Sequence, residues 1–503
     1  MPTFLTTYID PAKFTFGICE GEKDINLARC FVRTQSINIF INNIQTKNFV
    51  IAPKGLGKSG LCSMLTDCQN ILLPNKQDYF YMNSIHCEQT VEFCSDIKKL
   101  KYNLISHFCN TIITHLLNAY DDGIASPITK LKEFMSKQLT LESVTAKGSL
   151  TIGALIADVT GKWINTESEI DKTYAEIFEY IEDVLKYKKK RIILCIDNLD
   201  DITKRMDIEQ RKQVLCAFYD SIQLIRKWGD SINPVVLPVL FVRDDLFRYI
   251  DRRGESDKRS SIAELSWNLN EITRFTVKRF LANDLLNDIR KEIKIMFLKQ
   301  GKIKSFFVNK RDLSWVDQLS SNQIAELFNV FFSLEIQNVT FYSWFTKALS
   351  DSNNVFNPRT IIDFFDLLLK YQYSDFEEKG KKEIHYENGQ YQIFSEDIVL
   401  KAFHNLQQHK IEDCVDLISI GDKDKNQIKK IVEYVIIGLN KTSALNKLQY
   451  EKFGFSEKEF YTLIDEMEFY KMIKSHSGKP PYQKYDLSPM LLNYSESLVA
   501  GKM

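Results

Sequence analysis

Short, unbroken runs of apolar residues mark the strands that this chain predicts. The runs within 48–52, 78–83 and 191–196 predict strands covered on both faces, because a buried strand of a parallel sheet shows no polar alternation. A fourth run lies at 235–244. It contains Pro238, which lacks a backbone N–H and so predicts an edge strand or a strand that begins at the proline.

Helical spacing of apolar residues fills the intervals between these runs. It predicts a helix-rich segment over 17–47, helices within 91–140 and a helix over 171–190. Strands that alternate with helices are typical of an α/β fold with a parallel sheet. The run at 148–159 is too short to span a bilayer, and its alternation and glycines predict a β-hairpin or an interfacial insertion.

The first apolar run leads into a glycine-bearing loop and then a predicted helix over 60–68. Gly55 and Gly57 allow backbone angles that turn N–H groups inward around a phosphate. Lys58 is expected to reach the terminal phosphates and the Ser59 hydroxyl to hold Mg²⁺, while the helix directs its positive end at the anion. Ala52 stands where the strict pattern has glycine. The predicted nucleotide contacts are Ala52, Pro53, Lys54, Gly55, Leu56, Gly57, Lys58, Ser59 and Gly60.

The third apolar run ends in a carboxylate, Asp197. In an open parallel sheet this strand tip lies beside the phosphate loop, so we expect Asp197 to support Mg²⁺ together with Ser59. Asn198 occupies the position where many ATPases carry a glutamate base, and an amide cannot accept a proton from water. Asp200 is the candidate base; the alternative is that Asp200 and Asp201 cap the following helix.

Two arginines are candidate phosphate sensors. Arg243 ends the fourth run, where it is either a γ-phosphate sensor or an ordinary salt-bridge partner, and Asp244 is predicted to cap a helix that starts at the next residue. Arg359 opens a predicted helix over 360–371 and either reaches back to the nucleotide or serves only as a helix-start residue. The charged loop at 252–259 is a solvated surface or an arginine finger for a neighbouring subunit.

The C-terminal region predicts three helices followed by a hairpin. The helices fall at 428–439, 443–453 and 457–469, and two short strands fall within 471–487. This order is the pattern of a winged-helix module, which binds DNA in some proteins and other proteins elsewhere. The segment at 457–469 is acidic, whereas a DNA-reading helix should be basic, so protein contact or regulation is the favoured role.

Composition narrows the class of protein. The 503 residues suggest about three domains, and the 66 basic and 66 acidic residues cancel, which argues against a bulk nucleic-acid binder. The ten cysteines form neither a C-x-x-C pair nor a cluster at metal spacing, as expected for reduced thiols in a cytoplasmic protein. A signal peptide and a membrane span are not predicted.

Taken together, these motifs resemble a family of bacterial P-loop ATPases related to STAND and origin-recognition-type AAA+ ATPases and to KAP ATPases. The resemblance covers about residues 15–375. The segments that carry it are FGICEGEKDINLARCFVRTQ, FVIAPKGLGKS, IILCIDNLDD, PVLFVRDDLF and NPRTIIDF.

The resemblance implies an ASCE-type α/β core with a helical lid. We therefore expect a core at 1–265 with a helical insertion at about 91–190 and a lid at 266–375. The winged-helix-like domain expected at 390–503 rests on the order of its predicted helices and strands instead. The resemblance implies ATP and Mg²⁺ as ligands, a sensor role for Arg243 and a lid-side role for Arg359. Relatives often act as nucleotide-gated switches in defence against phage or foreign DNA. It also implies a protein partner or self-association.

Four functions remain open from the sequence. A hydrolysing ATPase switch uses the loop, Asp197 and both arginines. A non-hydrolysing scaffold stabilised by ATP is motivated by Asn198. A DNA-acting ATPase is motivated by the winged-helix pattern at 396–495. A small-molecule kinase is disfavoured, because the large helical additions have no use in phosphate transfer to a metabolite.

Overall fold

The structure is a computed structural model in which the chain divides into two compact units. We call them the sheet unit, formed by residues 20–22 and 35–265, and the helical unit, formed by residues 1–19, 23–34 and 266–503. Helix α1 (Leu27–Cys30) belongs to the helical unit. The structure describes residues 16–18, 23–66, 68, 72–73, 79–83, 97–119, 127–138, 167–203, 206–229, 233–250, 260–283, 286–301, 313–379, 385–387, 390–418, 420–441, 450–476, 484–492 and 494.

Five parallel strands form the sheet of the sheet unit. Their order across the sheet is β2 (Tyr79–Asn83), β3 (Arg191–Ile196), β4 (Val236–Arg243), β1 (Phe49–Ala52) and β5 (Ile262–Glu264). Each neighbouring pair is parallel. All four residues of β1 are buried, as expected for a strand covered on both faces. The predicted α/β class is confirmed, and β4 separates the strand before the phosphate loop from the strand that precedes Asp197.

Helices connect and flank these strands. Phe49 of β1 stacks on Tyr219 with ring centroids 5.0 Å apart, so the first strand is fixed against a helix. The helix after the phosphate loop begins at Lys58 rather than at Gly60. The helices of this unit are α2 (Gln35–Asn42), α3 (Lys58–Thr66), α4 (Ile97–Ala119), α5 (Pro127–Gln138), α6 (Glu167–Lys188), α7 (Leu199–Thr203), α8 (Ile208–Trp228) and α9 (Asp244–Phe247).

The prediction for Pro238 was wrong, because β4 is a central strand that begins two residues earlier. Pro238 pairs with Leu194 of β3. The N–H of Leu240 faces the β1 side, where it donates to the Asn48 carbonyl at 2.8 Å. Because strand residues two apart face the same neighbour, the missing N–H of Pro238 also faces β1, but before the register with β1 begins at Leu240. The proline therefore removes no hydrogen bond from the ladder between β4 and β1.

In its described part, the rest of the helical unit contains further α-helices and three hairpins. They are α10 (Leu269–Leu281), α11 (Asn287–Lys299), α12 (Ser314–Asp317), α13 (Ser321–Phe331), β6 (Glu335–Ile336), β7 (Val339–Thr340), α14 (Phe341–Ala348), α15 (Pro358–Lys379), β8 (His385–Glu387), β9 (Gln390–Gln392), α16 (Glu396–Leu417), α17 (Lys425–Lys441), α18 (Glu457–Phe469), β10 (Ile473–Ser475) and β11 (Tyr485–Leu487).

The N-terminal segment at 23–34 is bound to α10 by charged side chains. Lys278 donates from Nζ to the Phe31 carbonyl at 2.9 Å, and Arg279 forms a buried ion pair with Asp24. These contacts explain why this segment belongs to the helical unit although the residues that follow it belong to the sheet unit.

Residues 390–494 form what we call the C-terminal module. Its antiparallel hairpin pairs Ile473 with Leu487, and α18 has the same bounds as the helix predicted at 457–469. Most of the helix predicted at 443–453 lies outside the described residues, and the described part, Tyr450–Phe453, is a 3₁₀ helix. The predicted helix at 360–371 is the longer α15.

Within the described ranges, no helix is long and apolar enough to cross a membrane. The hairpin or interfacial insertion predicted at 148–159 lies outside those ranges.

Candidate functional site

The loop between β1 and α3 has the backbone conformation that its glycines allow. Gly55 has φ 90° and Gly57 has φ 93°, values that would strain a residue with a side chain. Ala52, by contrast, is the last residue of β1 and pairs with Arg243 of β4, so its backbone is extended and no glycine is needed there. Leu56, between the two glycines, is buried. The loop can therefore present N–H groups around an anion without a glycine at position 52.

The Lys58 ammonium bonds to the carbonyls of its own loop. Its Nζ donates to the Ala52 oxygen at 2.7 Å and to the Pro53 oxygen at 3.0 Å. Burial lowers the pKa of Lys58 to about 8, although the nearby Asp197 and Asp200 favour the charged form. At pH 7 the lysine is still protonated, so the site holds a buried positive charge at the start of a helix, where an anion is favoured.

Asp197 joins the tip of β3 to the phosphate loop. It follows Ile196, the last residue of the strand, and is only 8 % exposed. Its carboxylate accepts hydrogen bonds from the Ser59 hydroxyl and from the backbone N–H of Asn198. Burial raises the pKa of Asp197 to about 6, with those hydrogen bonds and Lys58 opposing the rise. The structure thus brings Ser59 and Asp197 into contact, and the role of each towards Mg²⁺ stays a prediction.

Asn198, at the usual position of the base, and Asp200, the candidate base, differ in conformation and exposure. Asn198 has φ 62°, in the left-handed region that asparagine tolerates better than most residues with a side chain. Asp200 lies in the first turn of α7, and its side chain is 44 % exposed. Water therefore reaches the Asp200 carboxylate, whereas the backbone at position 198 disfavours the glutamate that many ATPases carry there.

Arg243 ends β4 and lies between two carboxylates. Its Nε and Nη2 atoms donate to the two oxygens of Asp245 at 2.9 and 2.6 Å. Its Nη1 atom lies 3.5 Å from an oxygen of Asp200. No motif in the sequence indicates this role for Asp245. The helix after β4 begins at Asp244, one residue earlier than expected, and the Asp244 carboxylate accepts the Asp245 backbone N–H at 2.9 Å.

The structure thus brings Lys58, Ser59, Asp197, Asp200 and Arg243 to the carboxyl ends of three strands, β1, β3 and β4. This edge is where ligands bind in open α/β sheets.

The roles of two other predicted groups stay predictions. Arg359 lies in the helical unit, in the first turn of α15, where its backbone N–H donates to the Asn357 side chain at 2.9 Å, and its role stays a prediction. The charged loop at 252–259 lies outside the described residues.

The donors at this edge fit magnesium. Mg²⁺ is typically held by one or two protein oxygens, with water and phosphate as its other ligands. Ser59 and Asp197 supply a hydroxyl and a carboxylate that already touch, and the buried carboxylate gains most from a nearby cation. Among the described residues, no set of three or more His, Cys, Asp and Glu side chains forms a metal cage.

Comparison with known proteins finds a known domain in the part of the chain that contains most of this site. Residues 37–216 match the model of the KAP family P-loop domain. The match includes β1, the phosphate loop, β3 and Asp200, and it ends within α8, before β4 and Arg243. No curated protein matches the chain. The chain therefore contains a P-loop NTPase domain, the class of domain that binds nucleoside triphosphates.

Proposed function

We propose that this chain binds ATP with Mg²⁺ at residues 52–60, hydrolyses it and acts as a nucleotide-gated switch. The hydrogen bond between Ser59 and Asp197 is the observation that carries the proposal. It joins the loop that would hold the phosphates to the strand end that would support the metal. Lys58, whose charge is buried beside both, supplies the positive group that a triphosphate needs.

Binding begins with the loop and its lysine. The Lys58 ammonium exchanges the carbonyls of Ala52 and Pro53 for phosphate oxygens, which are stronger acceptors because they are charged. Ser59 and Asp197 hold Mg²⁺, which when bound neutralises part of the negative charge on the phosphates.

Hydrolysis requires a group that accepts the proton of water. We assign this to Asp200, whose carboxylate is half-exposed and can contact water. The water oxygen forms a bond to the γ-phosphorus while the bond from that phosphorus to the bridging oxygen breaks. ADP leaves with the bridging oxygen, and the water proton passes to Asp200. Arg243 stabilises the charge on the γ-phosphate oxygens as they separate from ADP.

One observation favours a second candidate, a non-hydrolysing scaffold that ATP stabilises. Asn198 stands where a glutamate base is expected, and its left-handed backbone is suited to asparagine. In this alternative the site binds Mg²⁺ and ATP tightly, and no residue removes the proton from water.

The proposal extends to the architecture around the site. The strand order, with β4 between β1 and β3, supports an ASCE-type core. We propose that residues 266–375 act as a helical lid with Arg359 on its nucleotide side. We further propose that residues 390–503 act as a winged-helix-like module that passes the nucleotide state to a protein partner or a second copy of the chain. The acidic first turn of α18, with Glu457 and Glu459, argues against DNA as the partner.

Steady-state ATP turnover tests the proposal. The measurement compares wild type with Lys58→Ala and Asp200→Asn, with and without double-stranded DNA. We expect turnover that Lys58→Ala abolishes, that Asp200→Asn lowers by at least tenfold and that DNA does not stimulate. Tight ATP binding without turnover would instead establish the scaffold, and stimulation by DNA that weakens with added salt would establish a DNA-acting ATPase.

A further inference from the structure

The Arg243–Asp245 contact is a two-point fork at the junction of β4 and α9. Both distances, 2.9 and 2.6 Å, are hydrogen bonds to a charged acceptor, and both side chains are only 11 % exposed. A bidentate pair of this kind fixes the plane of the guanidinium as well as its distance.

The backbone around Asp245 is fixed by packing of the next residues and by a hydrogen bond. The next two residues, Leu246 and Phe247, are buried in the core of the sheet unit, and the Phe247 ring lies 5.9 Å from the ring of Phe49 in β1. The Asp244 carboxylate accepts the Asp245 N–H. The position of Asp245 is therefore set by the strand that leads into the phosphate loop.

The contact of Arg243 with Asp200 differs from its contact with Asp245. It is longer, at 3.5 Å, it involves only Nη1, and the Asp200 side chain is 44 % exposed. Solvent screens such a pair, so it is easily exchanged for another anion. Of these two carboxylates, Asp245 is thus the fixed partner of Arg243 and Asp200 the exchangeable one.

We propose that Asp245 is a positioning residue that holds Arg243 so that its Nη1 edge alternates between Asp200 and the γ-phosphate. This inference rests on the proposed function and deepens it. Without a γ-phosphate, Arg243 pairs with the base and neutralises it. When a γ-phosphate takes Nη1, Asp200 is released to accept the proton of water. By holding Arg243, Asp245 makes the release of Asp200 depend on whether the bound nucleotide has a γ-phosphate.

The test compares Asp245→Asn with Asp183→Asn, a matched change at an exposed position of α6. Affinities for Mg·ATP and Mg·ADP and the turnover at saturating ATP are measured for each. We expect Asp245→Asn to keep ADP affinity within about threefold, to lose most of any preference for ATP over ADP, and to lower turnover by at least tenfold. ADP lacks the group that Arg243 contacts, so a general structural defect would weaken both nucleotides.

A double-mutant cycle sharpens the result. Arg243→Ala should cause the same losses, and adding Asp245→Asn to it should change them by less than twofold, because the two residues act as a unit. Additive effects, or wild-type ATP preference and turnover in Asp245→Asn, would overturn the proposal.

A second variant covers the case in which Asp245→Asn does not fold. Arg243→Lys keeps the charge but cannot form the fork. Wild-type turnover and ATP preference in Arg243→Lys overturn the proposal, and their loss with ADP affinity retained supports it. The proposed function fails separately, if wild type neither binds nor hydrolyses ATP.

Discussion

The phosphate-loop edge of the sheet and the C-terminal module differ in the polar side chains that they bury: those at the loop edge are charged, and those in the module are neutral. At the loop edge, the charged residues Lys58 and Asp197 are less than a tenth exposed. Burial lowers the pKa of Lys58 and raises the pKa of Asp197, so that both move towards neutral pH. In the described part of the C-terminal module, the buried polar side chains are Gln407 and Ser488, and both are neutral. Gln407 donates to the Met490 carbonyl at 2.7 Å, and Ser488 donates to a backbone carbonyl at 3.3 Å.

The difference shows where burial of polar groups lowers the free energy of unfolding. A neutral buried group with a hydrogen bond costs little, whereas a buried charge with a shifted pKa costs free energy that a ligand can recover. Perturbed groups of this kind concentrate at functional sites. This contrast supports the loop edge as the functional region, whereas the core of the C-terminal module is built for packing. Four predictions test this contrast.

The largest expected effect lies in the C-terminal module. Leu463 of α18 is fully buried in the core of that module. Leu463→Ala should lower the free energy of unfolding by about 3 kcal/mol, because it leaves a cavity. Chemical denaturation measures this, with the exposed Lys458→Ala as the control. ATP affinity should not change, and a tenfold loss of affinity would show that the two regions are not separate in role.

The pH dependence of ATP affinity should reveal the buried lysine. The pKa of Lys58 is lowered to about 8, so the free site loses its positive charge above that pH. Phosphate groups have a second pKa near 6 and are already ionised there. We expect Mg·ATP affinity to fall towards tenfold per pH unit above pH ~8. Titration calorimetry between pH 6.5 and 9.5 measures this. Lys54→Ala should keep the decline, and a flat profile contradicts the assignment.

Lys58→Met should remove the stability cost of the charge. The pKa of Lys58 is lower in the folded chain than its ordinary 10.5, so the unfolded chain holds the proton to higher pH. Below about pH 8 the full cost is present, and it disappears as pH rises towards 10.5. We expect Lys58→Met to raise the free energy of unfolding by about 1 kcal/mol at pH 7.

The comparison with wild type is made without nucleotide, by denaturation at pH 7 and at pH 10. The gain should be smaller at pH 10, and Lys54→Met should show no gain. A loss of more than about 1 kcal/mol at pH 7 means that the two carbonyl hydrogen bonds of Lys58 outweigh its burial.

The last prediction concerns the backbone of Asn198. Its φ of 62° is left-handed, a region that costs alanine about 1 kcal/mol and costs glycine little. Asn198→Ala should lower the free energy of unfolding by about 1 kcal/mol, and Asn198→Gly should change it by less than about 0.5 kcal/mol. Thermal denaturation of both variants measures the difference. Equal stabilities would show that backbone strain does not select the residue at this position.

Much of the sheet and the loop edge could be predicted from the sequence, because their signals are local. Apolar runs mark β1 and β3, and glycines mark the phosphate loop. The carboxylate after β3 could be placed beside Ser59, because the carboxyl ends of parallel strands share one edge.

Features that depend on tertiary pairing could not be predicted. β5 has three residues, of which only Ala263 is buried, and its pairing with β1 defines it. The prediction for Pro238 was wrong because a central strand tolerates this proline only where the register with β1 has not yet begun. The Arg243–Asp245 fork crosses from a strand into a helix, and no spacing rule for either element indicates it.

Equilibrium titration of Mg·ATP into wild type and Lys58→Ala at pH 7 tests whether the loop edge is a nucleotide site. We expect saturable binding to wild type, at least a hundredfold weaker binding to Lys58→Ala, and weaker wild-type binding when Mg²⁺ is removed. Equal binding by the two proteins, or no binding by wild type, would contradict the assignment of a nucleotide site to this edge of the sheet.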